Sequence, residues 1–103
     1  MVKQRMPAAV AREVLERADG ACEAMIRGVC TGGAQHLHHR LMRSQGGPHT
    51  VANLAAVCST CHRYVHDNPK FGYESGLLIH SWHPVTWPPA YYRGVYTPRE
   101  EEE

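Results

Sequence analysis

The sequence has no long hydrophobic run, and that absence sets its first limits. None of its 103 residues lies in a segment approaching the roughly 18 apolar residues of a membrane span. The opening "MVKQRMPAAV" also lacks the charged-then-apolar pattern of a secretory signal. We therefore expect a cytoplasmic protein without membrane contact. In such a reducing setting, cysteines near histidines favour metal ligation over disulfides.

Acidic residues are scarce outside the last four positions. The ten acidic residues include the four glutamates at 100–103, so the other 99 residues carry 11 basic against 6 acidic side chains. This basic body suits a polyanionic partner. The acidic end predicts a disordered, solvating tail; a tail that repels nucleic acid and tunes affinity is the alternative. We therefore expect residues 1–99 to form one domain. Its hydrophobic core is small, so bound metals or disulfides are expected to contribute to its stability.

The order of apolar and turn-forming residues predicts an α+β chain. A first, packing helix is predicted in "PAAVAREVLERADG", between Pro7 and Gly20. A strand follows in "QHLHHRL", a loop in "RSQGGPHTVAN" and a second strand in "LAAVC". A helix in "STCHRYVHDN" has Ser59 or Thr60 as its expected cap and Pro69 just beyond its end.

The remaining sequence predicts peripheral elements. We expect one further short helix in "NPKFGYESG" and a strand in "LLIHSW". The rest of the chain is rich in Pro and Tyr, which favours an irregular arm.

The four cysteines have a spacing that suggests a metal site. Cys58 and Cys61 form a C-x2-C pair at a strand-to-helix turn, where two thiolates can converge on one tetrahedral ion. Cys22 and Cys30 have seven residues between them, a wider spacing than usual, and Gly28 allows the tight reversal that such a spacing requires. A zinc ion bound by all four cysteines would stabilise the small hydrophobic core. Buried free thiols and disulfides are the alternatives.

The histidines suggest a second, different metal site. His62 and His66 are four residues apart and so share a helix face. A third ligand from His38 or His39 would leave coordination positions open, as in a catalytic site. If His38 binds the ion, His39 is available as a general base. Neighbouring strand residues point to opposite faces, so the strand must bend or end there. A Cys/His zinc site without chemistry is the alternative.

The segment "HLHHRLMRSQGGPHTVANLAAVCSTCHRYVH" carries a family resemblance. Its "HH", "GG", "NL", "C-x2-CH" and final His, in this order, resemble the HNH endonuclease family. The resemblance covers residues 22–66 and implies a ββα-metal core over residues 22–68, in which two strands, a loop and a helix hold one catalytic divalent ion. The later "GYESGLLIHSWHP" is similar to the tail of small HNH proteins encoded by phages.

The resemblance implies a role for each motif residue. His38, His62 and His66 would bind the catalytic ion, His39 would be the general base, and Asn53 would hydrogen-bond across the loop to hold that base. The cysteines would bind a structural Zn²⁺, as in many family members: Cys22, Cys30, Cys58 and Cys61. The chain departs from the family in its x7 cysteine spacing and in a first motif residue that is His where many relatives have Asp. An all-imidazole site suits Zn²⁺ or Ni²⁺ better than Mg²⁺ alone, with Mn²⁺ a further candidate.

These features together predict a metal-dependent endonuclease that nicks or cleaves duplex DNA with low sequence preference. Arg40, Arg43 and Arg63 lie beside the proposed site and are expected to contact phosphates without reading bases. A non-catalytic zinc module that docks on DNA or on a protein is the alternative. The resemblance also suggests a setting in phage DNA packaging within a bacterial host, with terminase subunits as partners. Monomer and homodimer both stay open.

Overall fold

Two short antiparallel strands and the helix that follows them form the centre of the fold. The computed structural model describes residues 5–82 with their side chains, and the backbone of residues 90–92 and 95–97. The elements in chain order are α1 (Ala8–Ala18), β1 (His36–His39), β2 (Leu54–Val57), α2 (Ser59–Asp67), α3 (Pro69–Ser75), β3 (Ala90–Tyr92) and β4 (Val95–Thr97). The predicted α+β class and its central order of strand, loop, strand and helix are confirmed.

Strand β2 lies between two packed layers. It pairs with β1 in a register that sets His36 opposite Val57 and His39 opposite Leu54. All four residues of β2 are buried. Because successive strand residues point to opposite faces, Leu54 and Ala56 pack against α1, whereas Ala55 and Val57 pack against α2 and the cysteine-bearing segment. The second strand of the motif is therefore fixed from both sides.

Helix α2 begins with a cysteine cap. The Cys58 sulfur accepts a hydrogen bond from the backbone N–H of Cys61 at 3.3 Å. The predicted caps, Ser59 and Thr60, are instead the first residues inside the helix. Ser and Thr are the usual capping residues, so the sequence placed the helix cap after its actual position at Cys58. Pro69 lies just beyond the helix end, as predicted, and opens α3.

Two peripheral predictions are wrong. The "LLIHSW" segment forms no strand, although Leu77, Leu78 and Ile79 are all buried. Its backbone turns back on α3, where the N–H of Leu78 donates to the carbonyl of Gly72, and a bond from Ile79 to Arg40 ties it to the end of β1. Strands β3 and β4 pair where an irregular arm was expected. The predicted acidic tail at 100–103 lies outside the described residues.

Within the described ranges, no helix combines the length and the apolar character needed to cross a bilayer.

A buried carboxylate joins α1, the cysteine-bearing segment and β2. Glu23 is 1% exposed, and its two oxygens accept hydrogen bonds from the Arg17 guanidinium at 2.6 and 2.8 Å. One of those oxygens also accepts the backbone N–H of Ala56 at 2.9 Å. Arg17 donates further to the carbonyl of Leu54 at 2.6 Å. A charge buried this deeply is tolerated because it is both paired and hydrogen-bonded.

Glu23→Ala is expected to lower the free energy of unfolding by about 3 kcal/mol, because it leaves a partly buried guanidinium and a strand N–H without their acceptor. Urea denaturation followed by circular dichroism measures the change. Glu13→Ala, an exposed carboxylate on α1, is the matched control and is expected to stay within about 0.5 kcal/mol of the parent. Equal losses for the two variants would contradict this account.

Candidate functional site

The four cysteines come together at the junction of the N-terminal segment and α2. The sulfur atoms of Cys22, Cys30, Cys58 and Cys61 all lie within 4.8 Å of one another, and none is in a disulfide. The wide x7 spacing is accommodated by a hook in which the N–H groups of Val29 and Cys30 both donate to the carbonyl of Ile26. Gly28 sits in this hook with a φ of 78°, a conformation that favours glycine. Four converging sulfurs can hold one tetrahedral metal ion.

Backbone and hydroxyl donors surround these sulfurs. Cys30 accepts an N–H from Gly32 at 3.3 Å, and Cys58 accepts N–H groups from Thr31 and Cys61. Burial alone would raise the pKa of the Cys58 thiol, but these bonds and one to Thr60 lower that pKa to about 5. Burial raises the pKa of Cys30 and of Cys61. The donors around Cys58 thus favour its thiolate, whereas burial disfavours the thiolates of Cys30 and Cys61, which a bound cation would help to ionise.

Three histidines form a second cluster on the other side of α2. One ring nitrogen from each of His38, His62 and His66 lies within 4.8 Å of the others. His38 comes from β1, and the other two come from successive turns of α2, as the four-residue spacing predicts. The structure thus brings together the three histidines that the sequence grouped. Three imidazoles can hold one divalent cation and leave coordination positions open.

Hydrogen-bond partners outside the cluster orient the rings of His38 and His62. The Nε2 atom of His38 lies 2.5 Å from the carbonyl oxygen of Leu77, so it donates its proton there and leaves Nδ1 for a metal. The Nδ1 atom of His62 lies 2.9 Å from Nδ1 of His36, which leaves Nε2 for a metal. Burial lowers the pKa of His38 to about 4 and also lowers that of His62. Both rings are thus neutral near pH 7, the form that binds metals.

His39 lines the same cleft as the three clustered histidines. The cleft has a volume of about 180 Å³ and is lined by Leu37, His38, His39, Met42, Arg43, His62 and His66. Strand β1 ends at His39, so the alternation of strand side chains ends there too. His38 and His39 therefore both line one cleft, although regular strand alternation would direct them to opposite faces.

The ring of His39 is held by a neighbour that the sequence did not single out. Its Nε2 atom lies 3.0 Å from Nδ1 of His49, and the ring centroids are 5.1 Å apart. Burial, followed by the charges of His49 and Arg43, lowers the pKa of His39. His39 is therefore a neutral imidazole near pH 7 and can accept a proton.

Asn53 acts on the loop rather than on the His39 ring. It is fully buried; its Oδ1 accepts the N–H of Leu41 at 2.8 Å, and its Nδ2 donates to the carbonyls of Leu41 and Pro48 at 3.1 and 3.0 Å. These bonds tie together the two ends of the loop that separates His39 from His49. Asn53 therefore forms hydrogen bonds across the loop, and they reach the backbone on either side of it.

The three arginines expected beside the site have different surroundings. Arg40 is 4% exposed, and its guanidinium donates to the carbonyls of Gly76 and Ala52. A phosphate contact needs an accessible guanidinium, so the DNA-binding role predicted for Arg40 does not fit and its role is structural. Arg43 is exposed at the cleft, although it also donates to Gly47. The Arg63 side chain is 84% exposed on α2.

The paired strands, the tied loop and the helix carrying two clustered histidines define the ββα-metal class. A family model described as HNH endonuclease matches residues 22–68. This segment holds both clusters, His39 and Asn53, so the resemblance seen in the sequence is confirmed over these residues. The family match supports a nuclease-type enzyme. No curated protein matches the chain.

Cys61→Ala is expected to abolish tight metal binding at the cysteine cluster, because three sulfurs cannot close a tetrahedral structural site. Elemental mass spectrometry after gel filtration in mild chelator measures the retained metal. His66→Ala, which removes a member of the histidine cluster, is the control and should keep that metal. An unchanged metal content in Cys61→Ala would exclude a cysteine-bound ion.

Proposed function

We propose that this protein is a metal-dependent DNA endonuclease that hydrolyses phosphodiester bonds and nicks or cleaves duplex DNA with low sequence preference. The observation that carries the proposal is the position of His39. It shares a cleft with three clustered imidazoles but is not one of the cluster. A module that only bound zinc would have no use for a neutral imidazole in that position. HNH nucleases as a family act on DNA, which supports the choice of substrate.

The donor atoms of each cluster support an assignment of its metal. Four sulfurs suit a structural Zn²⁺, which would tie the segment of Cys22 and Cys30 to the start of α2. His38, His62 and His66 would hold the catalytic divalent ion, with Zn²⁺ or Ni²⁺ favoured by imidazole and Mn²⁺ or Mg²⁺ as further candidates. A cation bound there supplies Lewis-acid polarisation of the scissile phosphate and shields the charge on the departing oxygen.

The residues of the chain would carry the proton transfer. His39 accepts a proton from a water molecule as the oxygen of that water forms its bond to phosphorus. The bond from phosphorus to the 3′-oxygen then breaks, and the departing oxygen takes a proton from solvent. His38 is held for its ligand role by the bond to Leu77, and Asn53 holds the loop that fixes His39 beside the cleft.

Charge at the cleft supports phosphate binding without base readout. Arg43 lines the cleft, and Arg63 directly follows His62 on α2. The Arg63 ion pair with Asp67 is 3.9 Å long and exposed, so it restrains the guanidinium little. Arg43 and Arg63 are therefore the proposed phosphate contacts, without Arg40.

His39→Ala is expected to lower the rate of plasmid nicking by about 10²- to 10⁴-fold, the usual contribution of a general base, with metal content and DNA binding unchanged. His38→Ala is expected to lose both activity and the metal of the histidine cluster. Conversion of supercoiled to open-circular plasmid measures the rate, with chelator and with several divalent ions.

His80→Ala is the matched control, because His80 stacks between Tyr73 and Trp82 and is not among the residues that line the cleft. Equal nicking by wild type and His39→Ala would contradict the proposed mechanism. If neither protein nicks DNA but both bind it, the chain is a non-catalytic module.

Arg63→Ala is expected to weaken DNA binding by a similar factor for unrelated sequences and to reduce the salt slope of the binding constant by about 1, because one phosphate contact is lost. Fluorescence anisotropy at several salt concentrations measures both quantities. Arg12→Ala, on the exposed side of α1, is the control and should change neither. A loss confined to one DNA sequence would instead indicate base recognition.

A setting in phage DNA packaging, terminase partners and a bacterial host cell stay predictions of the resemblance, and monomer and homodimer both stay open.

A further inference from the structure

The loop between His39 and His49 is packed too tightly to move as a flexible connection. A Cβ atom added to Gly47 would lie 1.8 Å from the carbonyl oxygen of Leu41, so only glycine fits there. The N–H of Gly47 donates to the carbonyl of Met42 at 3.0 Å. Asn53 binds the backbone at Leu41 and at Pro48, the residue just before His49. The backbone around His49 is therefore fixed relative to β1.

This fixed loop brings His49 against the proposed base. Its Nδ1 atom lies 3.0 Å from Nε2 of His39, with the ring planes at 59°. One of the two nitrogens must donate and the other must accept. If His49 donated, His39 would carry its own proton on Nδ1 and would have no lone pair left for a second proton. His39 can act as a base only if its Nε2–H donates to His49.

We propose that His49 is the positioning residue for His39: its Nδ1 lone pair accepts the Nε2–H of His39 and thereby keeps the Nδ1 lone pair of His39 available for the proton of the attacking water. This proposal rests on the proposed nuclease function. As His39 takes that proton on Nδ1 and becomes an imidazolium, the bond from Nε2–H to His49 strengthens. His49 itself gains and loses no proton.

The chain offers a pair of substitutions that separate acceptance from packing. Asn and Leu side chains have the same number of heavy atoms and the same branching, but only the Asn carboxamide oxygen can accept a hydrogen bond at the place of the His49 Nδ1 atom. His49→Leu is expected to lower kcat by about 10- to 100-fold with KM unchanged, the usual cost of losing an orienting partner. His49→Asn is expected to restore most of kcat. Thr50→Ala, an exposed neighbour in the same loop, is the control for general effects on the loop.

A second measurement reports on the contact without any turnover. Two-bond ¹H–¹⁵N spectra of the histidine rings show which nitrogen carries the proton, and the signals missing from His39→Ala identify the ring of His39. Wild type is expected to carry the His39 proton on Nε2, and His49→Leu is expected to lose this preference.

The outcomes separate the two proposals. A His39 proton on Nδ1 in wild type overturns the role of His49, whatever the nicking assay gives. Equal kcat in wild type and His49→Leu overturns it as well, and so do equally low values in the Leu and Asn variants. If wild type does not nick DNA, the proposed function fails, whereas an Nε2 proton that depends on His49 still supports the positioning contact.

Discussion

The carboxamide of Asn53 is the contact on which the geometry of the site depends. Strand alternation would send His38 and His39 to opposite faces, so the chain must leave strand geometry directly after His39. Asn53 satisfies the N–H and carbonyl of Leu41 just beyond that point and reaches Pro48 at the far end of the loop. Because the side chain is fully buried, water cannot substitute for these bonds. One residue thus ends the strand and closes the loop.

The two metal-ligand clusters are connected through a single helix. Cys58 and Cys61 belong to one cluster and flank the first turn of α2, whereas His62 and His66 belong to the other. An ion bound by the sulfurs would fix the start of α2 and, through it, the direction of both imidazoles. In a chain this short the core alone gives limited rigidity. A metal bound at the cysteine cluster would therefore also hold the histidine cluster more precisely.

The sequence predicted those parts of the site that depend on local spacing. The pair at His62 and His66 follows from helix periodicity, and the pair at Cys58 and Cys61 follows from the length of one turn. Spacing alone did not establish the four-cysteine cluster. The seven residues between Cys22 and Cys30 bring the two sulfurs together only because the backbone reverses at Gly28. The family resemblance supplied the partner on β1, His38, which spacing alone left open between two histidines.

The features that the sequence did not reveal depend on contacts between distant residues. Arg40 looked like a surface charge, yet its guanidinium meets Gly76, which is 36 positions away. His36 and His49 had no local pattern and acquire partners only when strand, loop and helix pack together. The buried run at 77–79 has strand-like composition, but its backbone bonds to α3 and to the end of β1. Amino-acid composition indicates that a segment is buried, but it does not identify the elements against which that segment packs.

The buried ion pair at Glu23 also protects the outer edge of the sheet. The groups of β2 that point away from β1 include the N–H and carbonyl of Ala56 and the carbonyl of Leu54. The Glu23 carboxylate accepts the N–H of Ala56, and the backbone N–H of Glu23 donates to the carbonyl of Ala56. The Arg17 guanidinium donates to the carbonyl of Leu54. A two-stranded sheet with an open edge is a template for pairing with other chains and for aggregation. Here Glu23 and Arg17 together occupy these edge groups, which leaves that edge of the core without free groups for a foreign strand to bind at Ala56 and at the carbonyl of Leu54.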